Sequence, residues 1–511
     1  MPSSHASRQI PPATCHQTVS SIAELLYTQP AIVRSSPDAL TILQATAQGG
    51  YSIRRKDDPY TYQVGFGNSF TSEAIPGGLP VGQNTPQKHK WGLYPESLNG
   101  TPFTNSRETN ERTWIYRIRP AVAHAGFHTS EPQNPNLEAE FSLKDPTQHV
   151  IATQLTWAPL EIPKGEKVTF VYGLKTILGN GSPLTREGLA IHQYACNASM
   201  EKTAFVNSDG DFLIVPSLGR LDIQTELGKL MVYPGEIAVV QRGIRWKVGV
   251  PDGQARGYVQ EIFGSHYELP ELGPLGSNGL ANVRDFEHPI AHFDLDQTQW
   301  EIIYKLGGRL HTAVQDHTPF DVVAWHGNYV PYKYDLESFV TVGSISKDHM
   351  DPSIFTVLTA KSKTNGVALA DFAVFEERWD VADHTFRPPY FHRNTCSEII
   401  GLVKGEYGGR SEDFVPGGLS YEAGFTPHGV DENVYNAATQ NELKPMKVGV
   451  GSIMVMFETS MMVTVTDFGF KNKKGEHAVD MWDGLGPKFL AYTDQINAEL
   501  KAAGRPPLSA N

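Results

Sequence analysis

Short runs of β-branched and aromatic residues, broken every few positions by glycine or proline, set the terms on which this chain can fold. It holds 47 glycines and 35 prolines in 511 residues, so a helix of ordinary length meets at least one and loses stability or a hydrogen bond there. Strands tolerate such punctuation because a short run is finished before the next turn begins. Segments 168–174, 211–215, 228–232, 236–240, 257–263 and 452–458 read as strands, and their spacing predicts a sandwich or barrel. Between two of them Pro234-Gly235 suits a type II turn, in which proline presets φ and glycine accepts a positive one. Only the stretch from Pro487 to Ala503, with Phe489, Ile496 and Leu500 at helical spacing, argues for a helix, and no internal repeat is visible. The fold class is mainly β.

Charge and composition remove several functions. Lys and Arg number 43 against 56 Asp and Glu, and the net charge of −13 repels phosphate backbones and anionic lipid, so neither nucleic acid nor a membrane is expected as partner. The greasiest stretches, 453–457 and 461–465, are too short to span a bilayer. Cys15, Cys196 and Cys396 are too few and too scattered for a disulfide framework, which points to a reducing compartment, by default the cytoplasm. The Ser-, Thr- and Ala-rich residues 1–56 read as a flexible N-terminal extension. They are poor in acidic residues at first, yet poorer in arginine than transit peptides usually are. Passage 269–290, rich in Gly and Pro, is either a linker or an ordered cover over a site.

No phosphate-binding loop, nucleophile elbow or CxxC pair is present, and Gly65-Phe-Gly67-Asn-Ser-Phe70 lacks the third glycine of a dinucleotide fingerprint. With 18 histidines in the chain, spacing must decide which ones matter. The segment from Pro388 to Tyr407 matches the pattern of cupins, the metal-binding jelly rolls. His392 opens it, Asn394 holds the second ligand position, Glu398 the carboxylate position, and Gly405 closes the following turn. Side chains alternate along a strand, so these positions share a face and His392 and Glu398 can meet on one ion. Asn394 leaves that set one histidine short, and His428 in Thr426-Pro-His-Gly429 supplies one. Two histidines and a carboxylate leave three metal positions open, the facial arrangement of non-haem Fe(II) oxygenases. The same residues also fit a core histidine, a solvated strand glutamate and a turn histidine, because spacing alone does not fix the third ligand. His349 offers an imidazole that can accept a phenolic proton near neutral pH. Taken singly it reads as a solvated loop residue, as do His89, His128 and His326.

Five longer strings recur in order: Tyr62 to Phe70, Trp91 to Gly100, Trp325 to Tyr334, Asp351 to Thr359, and His392 to Tyr407. Together they resemble the homogentisate 1,2-dioxygenases, from about residue 57 to about residue 490. The resemblance implies a non-haem Fe(II), extradiol-type enzyme that opens the ring of homogentisate with O2 to give 4-maleylacetoacetate, in phenylalanine and tyrosine breakdown. It implies His392, Glu398 and His428 as iron ligands, with His428 also beside the substrate. His349, just before Asp351-Pro-Ser-Ile-Phe355, matches the acid-base histidine, and Tyr407 matches the substrate-binding tyrosine. It also implies a bicupin-like jelly-roll and β-sandwich architecture, with a large N-terminal β domain (57–345), a smaller C-terminal cupin-like iron domain (346–495) and a tail (496–511). A homo-hexamer, a dimer of trimers, is the implied assembly. Segment 211–250 looks like a second jelly roll whose ligand positions lack histidine, and reads as scaffold.

Departures from the family pattern cluster near the site. Glu422 stands where the family that this chain resembles places a histidine, and Thr395-Cys396 replaces a Cys-Met pair. A carboxylate there alters the polarity around the metal and could disfavour an anionic acetate side chain. Two alternatives remain: a paralogous Fe(II) dioxygenase for another dihydroxyphenyl acid, or a cupin scaffold without chemistry. Retention of all three ligands and of His349 argues against the second.

Overall fold

The computed structural model describes residues 57–508 apart from 84, 344–348, 382–383, 407–413 and 477–478, so the extension read from residues 1–56 lies outside the described residues. Within them, 31 strands form sheets of ten, seven, eight, four and two strands, the β architecture the punctuation requires. The Pro234-Gly235 turn has the type II form, with the Glu236 N–H donating to the Tyr233 carbonyl at 2.9 Å and Gly235 at φ 95. The tail helix spans Thr493–Ala502. One expected strand is corrected: Phe170–Gly173, inside 168–174, makes a single helical turn before the strand Leu174–Ser182. A Cβ on Gly173 would lie 2.3 Å from the Ala195 carbonyl oxygen, so glycine lets this turn settle on the neighbouring strand, and packing overrides the β propensity of Val and Phe.

Alternation along the strands of the ten-stranded sheet sends both of its faces into apolar contact. Phe212, Ile214, Ala238 and Val240 pack with Phe205, Ile223, Leu230 and Trp246 of the seven-stranded sheet. Leu213, Val215, Ile237 and Val239 pack with Val357, Phe372, Ile399 and Phe457 of the eight-stranded sheet. The result is a stack of three sheets with the ten-stranded one at its centre, and every residue just named is nearly or fully inaccessible to solvent. Tyr258 locks two layers together, its hydroxyl donating to the carbonyls of Leu402 (2.9 Å) and Gly418 (2.7 Å). Gly401 has to be small here, since a Cβ would meet the Tyr258 ring at 3.0 Å.

The eight-stranded sheet carries the candidate site on its outer face. Its order is Tyr267–Glu268, Thr356–Lys361, Ala368–Phe375, Ile453–Thr459, Ser397–Lys404, Leu419–Glu422, Leu155–Trp157 and Lys473–Glu476. Strands 155–157 and 267–268 join it from before residue 345, while Thr464–Thr466 joins the ten-stranded sheet from after it, so hydrogen bonding runs across that point of the sequence. Passage 269–290 is ordered: Leu280 and Val340 exchange backbone hydrogen bonds, Phe286–Pro289 adds a strand to the ten-stranded sheet, and Leu275 packs on the apolar cluster around Ile354 and Phe355. Among the described residues no helix is long and apolar enough to cross a membrane.

Candidate metal centre

Ser397–Lys404 is buried on both faces, and alternation divides its side chains. Ile399 and Val403 point into the layered core, while Glu398, Ile400 and Leu402 take the outer face. His392 precedes this strand and is fixed by another route. Its N–H donates to the His428 carbonyl (3.0 Å) and its own carbonyl accepts the His428 N–H (3.1 Å), an isolated antiparallel rung that sets the two imidazoles side by side with ring centroids 4.2 Å apart. The structure thus brings together the residues that the spacing argument paired, with a bridge rather than a continuous strand between them.

Each imidazole is turned by its own backbone. His392 Nδ1 lies 2.8 Å from the Tyr390 carbonyl and His428 Nδ1 lies 3.0 Å from the Thr426 carbonyl, so in both rings Nδ1–H donates and Nε2 keeps its lone pair. Both Nε2 atoms converge on Glu398 Oε1, each at 3.4 Å, and the donor atoms of His392, Glu398 and His428 lie within 4.8 Å of one another. Atoms about 2.1 Å from a common ion, at right angles to tetrahedral angles, stand about 3.0 to 3.4 Å apart, so the spacing suits a shared metal. His428 Nε2 is buried and makes no hydrogen bond, which a metal bond would remedy. Burial alone would raise the Glu398 carboxyl, but the facing imidazoles of His392 and His428 hold it far below the usual carboxylate range. The donor set of two imidazoles and one carboxylate therefore fits a divalent transition metal.

Asn394, which takes the missing histidine's position, holds the carboxylates: its Nδ2 donates to Glu398 Oε1 (3.2 Å) and to Glu458 Oε1 (3.0 Å). Its Oδ1 accepts the Cys396 N–H (3.1 Å), and burial followed by Glu458 pushes the Cys396 thiol far up. Glu422 is 1% exposed and is the cross-strand partner of Glu398. The register reveals more than the sequence did. Asp371, Glu458, Glu398 and Glu422 are successive partners across four strands, a rank of carboxyls on one face. Burial raises both Asp371 and Glu458. The next rank along is Ala373, Met456, Ile400 and Ser420, and then come Phe375, Met454 and Leu402.

Apart from Ser420 and Leu402, these residues line one wall of a cavity of about 820 Å3 that also takes in His349, His392 and His428. His349 packs edge-on against Tyr390 (centroids 5.1 Å), which in turn packs edge-on against His392 (5.7 Å), so it stands one aromatic ring away from His392. Tyr407 lies outside the described residues. His89 and His326 instead flank Tyr116 at 5.1 and 6.1 Å, far along the sequence from these strands and not among the residues lining this cavity. Tyr390, Asp371 and Glu458 escaped sequence reasoning, because cross-strand register and ring contacts leave no mark on spacing within one segment.

The sequence model described as homogentisate 1,2-dioxygenase N-terminal matches residues 61–336, and its C-terminal counterpart matches residues 337–489. Relatives named homogentisate 1,2-dioxygenase include those of Caenorhabditis elegans (49% identical, covering 84% of this chain and 98% of the relative), Emericella nidulans (50%; 81% and 92%) and Homo sapiens (48%; 84% and 96%). Among solved structures, an oxalate decarboxylase variant of Bacillus subtilis is similar at 10% identity and a TM-score of 0.28, over 63% of this chain and 81% of that one, a likeness too slight to bear on function. Matched by the family's models in both halves and identical at about half of the aligned positions to relatives spanned almost end to end, the chain belongs to the homogentisate 1,2-dioxygenase family.

Proposed function

We propose that this protein is an Fe(II)-dependent, non-haem extradiol-type dioxygenase that converts homogentisate and O2 to 4-maleylacetoacetate in phenylalanine and tyrosine breakdown, with both oxygen atoms entering the product. The observation that carries the reading is the convergence of His392 Nε2, His428 Nε2 and Glu398 Oε1, with both Nδ1 atoms tied to carbonyls. His392, Glu398 and His428 would hold Fe(II), which would supply the route by which O2 reacts with an aromatic ring. The protein does the rest. A neutral His349 imidazole takes the proton from the substrate's phenolic oxygen, with the Tyr390 ring packed between that imidazole and His392. Ala373, Ile400 and Met456 give the aromatic ring an apolar wall that excludes water from the reacting carbon. Tyr407 and His428 are assigned to substrate contact. The resemblance supports a cytoplasmic homo-hexamer, a dimer of trimers, whose sedimentation mass would be six times the 56.3 kDa of the chain. The domain division near residue 345 rests on the same support.

The test is oxygen uptake by anaerobically Fe(II)-loaded protein given homogentisate, with absorbance of the ring-opened product followed in parallel. Uptake matched one-to-one by product is the expected result. Bound Fe(II) without uptake would overturn the substrate assignment and favour the paralogue reading, in which Glu422 beside Glu398 selects another dihydroxyphenyl acid.

A further inference from the structure

Glu398 and Glu458 are direct partners on neighbouring strands, and cross-strand partners project to the same face. Two carboxylates so placed repel each other, the more so away from water. One neutral side chain bridges them: Asn394 Nδ2 donates to Glu398 Oε1 at 3.2 Å and to Glu458 Oε1 at 3.0 Å, and all three residues line the cavity. The orientation of this amide is fixed from its other side. Its Oδ1 accepts the Cys396 N–H at 3.1 Å, and the Asn394 carbonyl accepts the Phe425 N–H at 2.6 Å. The side-chain oxygen thus has a donor and each of the two N–H groups has an acceptor, a set that only an amide satisfies here. Aspartate would keep the acceptor and have no N–H to give, and a neutral histidine would have one N–H for two carboxylates.

Glu398 Oε1 is also the atom on which His392 Nε2 and His428 Nε2 converge, each at 3.4 Å. The Asn394 N–H on that same oxygen holds the carboxylate against rotation, with Oε1 toward the imidazoles. A carboxylate free to turn could offer both oxygens to an ion and occupy a position that substrate or O2 needs. We propose that Asn394 is a positioning residue, which clamps Glu398 as a one-oxygen ligand and holds Glu458 apart from the same ion. At the place where the cupin pattern has a further histidine ligand, this chain carries a neutral clamp on the carboxylate instead. The inference rests on the metal centre proposed for His392, Glu398 and His428.

The experiment uses Co(II), whose visible absorbance reports its ligands, on the full-length apoprotein, with affinity measured by competition against a chelating dye and without turnover. Asn394→Ala should weaken Co(II) binding about 10- to 100-fold, the usual loss when a residue that orients a ligand is removed, and should change the shape of the absorbance band. Asn394→Ser keeps an acceptor for the Cys396 N–H and is too short to bridge both carboxylates, so it should show the same losses and guards against a folding defect in the alanine variant. Asn394→Ala combined with Glu458→Gln should recover most of the affinity relative to Glu458→Gln alone, because a glutamine on the partner strand brings an N–H to Glu398 and no charge. Wild-type affinity and absorbance in Asn394→Ala, or a double variant that binds no more tightly than Asn394→Ala, would overturn the proposal. Fewer sites per chain, with affinity and absorbance unchanged at those that remain, would overturn it too, since that pattern marks misfolding and not a misplaced ligand. Wild type that binds no Co(II) would overturn the metal centre itself, a result distinct from the others.

Discussion

Two buried histidine–glutamate pairs lie in different layers of this molecule, and they are built to opposite ends. Between the ten- and seven-stranded sheets, His192 Nε2 sits 3.2 Å from Glu261 Oε2, and the Lys305 ammonium, fully buried, lies 2.7 and 2.9 Å from the two Glu261 oxygens and 2.8 Å from Asp209. Burial would raise Glu261, but Lys305 draws it down to about 2, while burial lowers His192 and keeps it neutral. A neutral His192 donates from Nε2 to Glu261 and accepts the Thr176 hydroxyl at Nδ1 (2.9 Å). His392 and His428 hold the reverse tautomer, with Nδ1–H on a carbonyl and Nε2 facing a carboxylate. Where the chain supplies its own cation the site is closed; where two lone pairs and a carboxylate face each other, the donors suit a cation from outside the chain.

The sharpest way to break this contrast is to remove one member from each site and read metal and stability separately. His392→Ala should abolish detectable dioxygenase activity and leave less than stoichiometric iron, by metal analysis after gel filtration, because two donors no longer close the site. An intact metal content would refute the ligand assignment. His349→Gln comes next: turnover should fall about 10²- to 10⁴-fold, the range for losing a positioned proton acceptor, while iron stays bound. Loss of the metal as well would make His349 part of the metal site and not a proton acceptor.

Lys305→Met tests the closed site. It leaves Glu261 and Asp209 buried without their cation, a change that costs about 3 to 5 kcal/mol, and chemical denaturation should show it. The fraction still folded should bind iron as wild type does, since Lys305 has no contact with the metal centre. Reduced iron per folded chain would mean that the two layers are not energetically separate.

Much of the candidate metal centre was legible in the sequence and little of its surroundings was. His392 and Glu398 are six residues apart in one local segment, so alternation could pair them, and His428 lay beside a recognisable turn. The closed site was missed because its histidine, His192, lies upstream of segment 211–250, where a second ligand set was sought, and Lys305 comes from a strand of another sheet. The carboxyl rank depends on the register of four strands, and a slip of one residue would have turned every member to the other face. The Phe170–Gly173 turn was hidden for a related reason: only the approach of the Ala195 carbonyl explains why a β-prone run bends there.

The smallest effect sharpens the comparison by adding a third histidine, one that is charged. His266 Nδ1 lies 2.6 Å from Asp211 Oδ2 and its Nε2 lies 2.9 Å from the Gly100 carbonyl; two acceptors require two N–H groups, so the ring is an imidazolium. Burial would lower its pKa, but Asp211 and Glu111 (4.0 Å) outweigh burial and the nearby Arg242 and raise it, with the Tyr329 ring packed edge-on at 5.2 Å. Asp211, which burial would raise, is held down to about 2 by His266 and Arg242. The folded-state pKa of His266 exceeds the unfolded value of about 6.5, so its contribution is complete below about pH 6.5 and is lost as pH rises through the folded value. Asp211 gives the opposite trend, losing its contribution only as pH falls from about 4 toward about 2, well away from that window. Denaturation midpoints of wild type and His266→Gln should therefore differ most near pH 6 and approach each other toward pH 9. A gap that widens with rising pH would mean that the ring is neutral in the fold, and that this histidine resembles His192 after all.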